Sequence, residues 1–180
     1  RAWMGIAVEG NETRAVIERL DARRTQGGAR LLVLLGPSGS GKSSLLRAGV
    51  LPQVARRRRE WIPLPPIRPE KAPLETIAKA IATHVGKPQE WRSWHERLGK
   101  PEAVNDVDEL LKDLRIGESS NATVLLPIDQ FEEVFTVATA EERAAFLRLV
   151  CAVLDPARGL PLLVVATGRS DVLEGLIATG

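Results

Sequence analysis

Gly36-Pro37-Ser38-Gly39-Ser40-Gly41-Lys42-Ser43 fits the pattern G-x-x-x-x-G-K-[ST] without a mismatch, and its surroundings decide the fold. Before it lies Leu31-Leu-Val-Leu-Leu35, a continuous apolar run that reads as a buried parallel strand. After it, Ser43 to Leu51 reads as a helix ended by Pro52. Strand, Gly-rich turn and helix are the context in which this pattern binds phosphate. Gly36, Gly39 and Gly41 permit backbone angles and a close approach that side chains would block. The loop N–H groups can then converge on phosphate oxygens at the positive end of the helix. Lys42 is a point charge for the β- and γ-phosphates, Ser43 places a hydroxyl where a Mg²⁺ ligand is required, and Ser44 suits the α-phosphate side. The whole stretch, with Pro37, Ser38 and Ser40, is the expected nucleotide cradle.

Such a loop needs a carboxylate from the end of another parallel strand. Thr123-Val-Leu-Leu-Pro-Ile128 is an apolar run ending at Asp129, the Walker B arrangement, and Asp129 is expected to serve the metal rather than the fold. A plain helix-capping Asp is the alternative. A third core strand reads over Leu160 to Ala166, closed by Thr167-Gly168-Arg169. Ile62–Ile67 reads as an edge strand, because the prolines between Trp61 and Pro73 are incompatible with a central one. Helical spacing marks Asn11–Arg24, Leu74–Val85, Trp91–Leu98, Val104–Leu114 and Glu141–Leu154, with a last helix over Asp171–Thr179. Strands alternating with helices predict an α/β three-layer P-loop NTPase sandwich with a mainly parallel sheet. Asp129, Arg169 and the loop all fall at the C-terminal ends of strands, where such sheets bind ligands.

The 180 residues amount to one domain, divided as a lead-in and helix (1–30) and a core (31–180). Both ends look cut from something longer. A net charge of +2 with interspersed signs creates no field demanding nucleic acid or an anionic membrane. The single Cys151 excludes an internal disulfide and is expected in the core of a cytoplasmic protein. No apolar run approaches a membrane span. Arg56–Arg59 reads as a solvated loop or an interdomain contact. Trp91 and Trp94 read as a clamp for a peripheral helix, and Asp106, Asp108 and Glu109 as an acidic first turn. His84 and His95 lack further metal ligands.

Leu35 to Pro52, Ile128-Asp-Gln-Phe-Glu-Glu-Val-Phe135 and Ala166-Thr-Gly-Arg-Ser-Asp171 together resemble the novel STAND NTPase 1 family, bacterial signal-transduction ATPases often flanked by effector and WD40-type repeat domains. The resemblance runs over nearly the whole chain. It includes Val8-Glu-Gly-Asn-Glu12, a degenerate form of the family's opening F-x-G-R-E. Asn11 and Val8 depart from that motif, which puts an adenine-side role there in doubt. Pro127 interrupts the Walker B strand and is expected to weaken one ladder bond.

The resemblance implies Mg-ATP binding, with Gly36 to Ser44 on the triphosphate and Asp129 on Mg²⁺ through water. Gln130 stands where many related ATPases carry a catalytic glutamate; Gln130 can orient water but cannot take its proton. Glu132, or less readily Glu133, is then the candidate base, and Arg169 the candidate sensor of the γ-phosphate. Both glutamates could instead be helix-start residues, and Arg169 a surface residue. By analogy with the related fold the sensor strand inserts between the other core strands, giving the order 1-4-3-2, truncated before a fifth strand and a winged-helix lid. The expected activity is slow ATP hydrolysis that controls assembly of flanking domains. Its partners would be ATP or ADP, those domains and a nucleotide-dependent homo-oligomer, without membrane or nucleic acid. Two alternatives stay open: a non-catalytic nucleotide latch and a P-loop small-molecule kinase. Neither a guanine-specifying Asn/Thr-Lys-x-Asp nor a transporter-type LSGGQ signature is present.

Overall fold

The computed structural model describes residues 12–27, 29–104, 107–115, 119 and 121–172. The opening segment 8–11, Asp106 and the final helix beyond residue 172 lie outside them. The apolar runs form β1 (Leu31–Gly36), β2 (Trp61–Pro63), β3 (Thr123–Ile128) and β4 (Leu162–Arg169). All pairs are parallel and the order is β1-β4-β3-β2, as the family analogy implied. Alternate residues enter opposite layers. Leu163 and Val165 face α1 (Glu12–Gln26) and the helix that follows the loop, together with Trp61. Leu162, Val164 and Ala166 face α3 (Pro73–His84), α5 (Val107–Leu114) and α7 (Ala140–Leu154). Helix α4 (Trp91–Gly99) packs on α3; Trp94 joins the core as the clamp reading expects, whereas Trp91 does not and instead meets the Lys79 and Arg92 cations. Glu142 ties this layer together. It accepts the Leu74 N–H at the start of α3 (2.8 Å) and contacts His95 Nε2 (2.8 Å), while Thr139 caps α7.

Several sequence expectations need correction. The helix after the loop does not stop at Pro52. It runs over 42–55 (α2), and the turn Leu45–Val50 is widened to π geometry, with the Leu51 N–H reaching the Leu46 carbonyl. That wider turn relieves the clash a proline ring meets in a regular helix. Strand β4 does not close at Ala166, because Leu35 and Gly36 of β1 stay in register with Gly168 and Arg169. Cys151 is exposed, since α7 turns Val150 and Val153 inward and Cys151 away. The donor that Pro127 lacks belongs to the β2 side, where regular pairing stops at Pro63 and Leu125. The Pro127 carbonyl accepts from the Ile67 N–H (3.0 Å), so its main-chain groups face the β2 side and the β3–β4 ladder is intact. The edge strand keeps regular pairing only at 61–63, with an isolated bridge from Ile67 to Ile128. Among the described residues no helix is long and apolar enough to cross a membrane.

Helix α1 approaches α2 closely because Gly49 has no side chain. A Cβ there would stand 2.5 Å from Thr13 Oγ1. Gly49→Ala is therefore expected to destabilise the protein by about 1–3 kcal/mol, overpacking outweighing the gain in helix propensity. In a Thr13→Ala background the same change should become neutral or stabilising. Thermal unfolding of the four proteins checks this, and a stabilising Gly49→Ala beside wild-type Thr13 would contradict it.

Candidate nucleotide site

The loop after β1 turns on Gly39 and Gly41, with φ of 78° and 81°, a region in which a side chain is strained. Gly41 precedes the first helical residue, Lys42, and no side chain caps that helix start. Lys42 folds back over the loop. Its ammonium donates to the carbonyls of Gly36 (2.9 Å) and Pro37 (2.6 Å) and to Ser40 Oγ (3.1 Å).

Asp129, only 4% exposed, is the hub that joins three elements. Its Oδ1 accepts from Ser43 Oγ (2.7 Å) and from Thr167 Oγ1 (2.6 Å), and its Oδ2 accepts from Arg47 Nε (2.9 Å). Burial pushes this carboxyl up. The hydrogen bonds from Thr167, Ser43 and Arg47, with the guanidinium charge, outweigh burial and hold it below the usual carboxylate range. The expectation that Asp129 is indifferent to folding is thereby revised. An Asn there would turn its amide N–H₂ toward Arg47 or toward the two hydroxyl donors. Asp129→Asn should cost about 1–2 kcal/mol in the ligand-free protein. A folded-state pKa that is lowered stabilises above the ordinary carboxylate value. That stabilisation is lost as pH falls through the depressed one. Wild type and Asp129→Asn should accordingly differ in thermal stability at neutral pH and converge as pH falls through that lowered value. Equal melting temperatures at neutral pH would contradict this.

Thr167 does more than meet Asp129. Its hydroxyl accepts the Gln130 N–H (2.9 Å) and its carbonyl accepts the Phe131 N–H (2.8 Å), so the end of β3 is laced to β4. Gln130 is held at φ 58°, an unusual region for a residue other than glycine. The apolar residues of the following stretch go inward, where Val134 is buried and Phe131 meets Phe135 and Phe146. Its two glutamates part company. Glu133 is engaged by the Arg68 guanidinium and by the Glu70 N–H (3.1 Å), so it fixes the 68–70 turn. Glu132 is 7% exposed and lines the cleft, its Oε2 accepting the Arg169 N–H (3.3 Å). The Arg169 guanidinium forms a two-point ion pair with Asp171 at the cleft rim.

A cleft of about 400 Å³ collects Ser38, Gly39, Lys42, Ser43, Gln130, both Glu132 and Glu133, Thr167 and Arg169 at one edge of the sheet. Predicted site residues from the loop and from the ends of β3 and β4 are thus brought together. Gly36, Pro37, Ser40, Gly41, Ser44 and Asp129 do not line it; Asp129 lies beneath it, bonded to Ser43. Arg47 escaped the sequence reading, and Thr167 was read only with the Arg169 motif that closes its strand. Arg47 lies one helical turn beyond Ser43, a spacing that puts it on the same face. Thr167 sits two residues before the candidate sensor on a strand that alternates sides. The donor set suits Mg²⁺, which takes a hydroxyl, one carboxylate, water and phosphate oxygens rather than an all-protein cage. Among the described residues no group of three or more His, Cys, Asp or Glu could hold a metal.

The sequence profile of the novel STAND NTPase 1 family matches residues 10–179. The chain belongs to that family. No curated protein matches this STAND NTPase domain. Among solved structures it is similar to the ORC2 protein of Aeropyrum pernix in its ADPNP–ADP complexes, with a TM-score of 0.58 and 19% identity, covering 98% of this chain and 46% of that one. It is also similar to the ADP form of that protein, with a TM-score of 0.60 and 20% identity, covering 94% and 44%. At such identity the likeness is one of fold. The STAND NTPase domain spans less than half the length of these ORC2 chains.

Proposed function

We propose that this domain is an ATP-binding switch, in which Mg-ATP binding and slow hydrolysis control how flanking domains of a signalling protein assemble. The observation that carries the reading is the Ser43–Asp129–Thr167 junction. It couples the phosphate loop, the end of β3 and the end of β4 through a single buried carboxylate. Gly36 to Ser44 would wrap the triphosphate, with Lys42 exchanging its own loop carbonyls for phosphate oxygens. Ser43 and Asp129 would hold Mg²⁺, which when bound neutralises phosphate charge. Gln130 would orient a water, Glu132 would accept its proton, and Arg169 would leave Asp171 for the γ-phosphate. The nucleotides seen with the Aeropyrum pernix ORC2 protein support the ligand class. Calorimetric titration of ATP and ADP with and without Mg²⁺ tests this reading, which expects Mg²⁺-dependent ATP binding. Absence of binding under either condition would overturn it.

One observation favours a second reading, a nucleotide latch that does not hydrolyse. The residue after Asp129 is Gln130, and the nearest carboxylate, Glu132, is partly engaged by the Arg169 N–H. Single-turnover hydrolysis of bound ATP separates the two readings.

A further inference from the structure

Arg47 has no place in the scheme above, yet it makes the closest charged contact to the buried carboxylate of the site. Its Nε lies 2.9 Å from Asp129 Oδ2, and the two side chains are 46% and 5% exposed respectively. It stands on the π turn Leu45–Val50 of α2, one turn beyond Ser43. Arg68 acts on Asp129 through charge alone, and Ser43 and Thr167 take its other oxygen.

From this geometry we infer that Arg47 is a positioning residue that neutralises Asp129 and makes the site select a metal–nucleotide complex over a free divalent cation. The inference rests on the nucleotide-switch reading above. A free divalent ion approaching Ser43 meets a carboxylate already matched by a guanidinium, with the Lys42 ammonium on the same loop. Glu132 in the same cleft is offset by Lys42, so with Asp129 matched by Arg47 the site offers a free divalent ion no net negative charge. A triphosphate supplies that missing charge, together with the remaining oxygen ligands. Metal and nucleotide therefore bind together, and Arg47 sets how strongly each depends on the other. The same pairing fixes the Asp129 rotamer. Oδ1 then faces Ser43 in both states, and the carboxylate does not have to reorient when the metal arrives.

The test is Mn²⁺ binding followed by electron paramagnetic resonance, with and without ADP, in wild type, Arg47→Gln and Arg47→Lys. Wild type should bind Mn²⁺ weakly without nucleotide and much more tightly with it. Arg47→Gln should bind free Mn²⁺ roughly tenfold more tightly than wild type, and its metal–nucleotide coupling should shrink by the same factor. Arg47→Lys retains the charge and should stay close to wild type. Melting temperatures of the three proteins register whether each is folded. Unchanged Mn²⁺ affinity in folded Arg47→Gln, with wild-type coupling, would overturn the role of Arg47 and leave the nucleotide switch standing. Failure of all three proteins to bind ADP would overturn both.

Discussion

Lys42→Ala is expected to weaken ATP binding by about 10- to 100-fold, and nucleoside binding hardly at all. The ammonium is the one charged group that the loop itself supplies to a phosphate. In the structure it already has three oxygen partners, the carbonyls of Gly36 and Pro37 and the hydroxyl of Ser40. A triphosphate must win it from them, so the net gain is smaller than an isolated ion contact would suggest, and a loss beyond this range is not expected. The exposed loop should tolerate the substitution without a large fall in stability. Calorimetry against ATP, ADP and adenosine checks the pattern. Equal ATP affinity for wild type and Lys42→Ala would remove the loop from phosphate recognition.

A still larger effect is expected on hydrolysis. Glu132→Gln should slow it by about 10²- to 10⁴-fold, the usual worth of a general base, while ATP affinity stays within about threefold. The amide is isosteric and can still accept the Arg169 N–H, so the end of β4 should remain in place and the melting temperature should not move. With Gln130 in the position where related ATPases place a base, turnover of the 180-residue chain should lie far below the ~10 s⁻¹ of a median enzyme. Single-turnover hydrolysis, in this chain and in a protein carrying flanking domains, is the measurement. A chain turning over several ATP molecules per second, unaffected by Glu132→Gln, would make it a self-sufficient ATPase and sink the switch.

Where local pattern coincides with tertiary need, the sequence was readable. Continuous apolar runs became β1, β3 and β4. Strands β3 and β4 lie inside the sheet and are buried, as such runs require. By contrast β1 is an edge strand in which only Leu32 is buried, so its expected burial is corrected. The Gly-rich turn became a loop with two positive-φ glycines at positions the motif names. What escaped depends on partners remote in sequence. Arg47 meets Asp129 across 82 positions and Thr167 meets it across 38, and no local spacing announces either pairing. Pro52 misled because the rule that proline ends a helix assumes regular α geometry, which the Leu45–Val50 turn does not keep. Cys151 misled because α7 carries apolar residues beyond its buried stripe. Glu132 and Glu133, adjacent and alike in sequence, were separable only once Arg68 was seen to claim one of them.

The prolines of the outer strand bear on self-association. Along residues 61–67 the N–H groups of Leu64 and Ile67 are spent inward, on the carbonyls of Leu125 and Pro127, and that of Trp61 is taken by the Arg57 carbonyl. The positions that alternate outward, 63 and 65, are both proline. A second chain arriving alongside would find acceptors without donors, so this rim cannot template another strand, and the sheet is sealed against growth into fibres on that side. Any assembly of copies across the β2 flank must therefore be built from side chains rather than from a shared sheet.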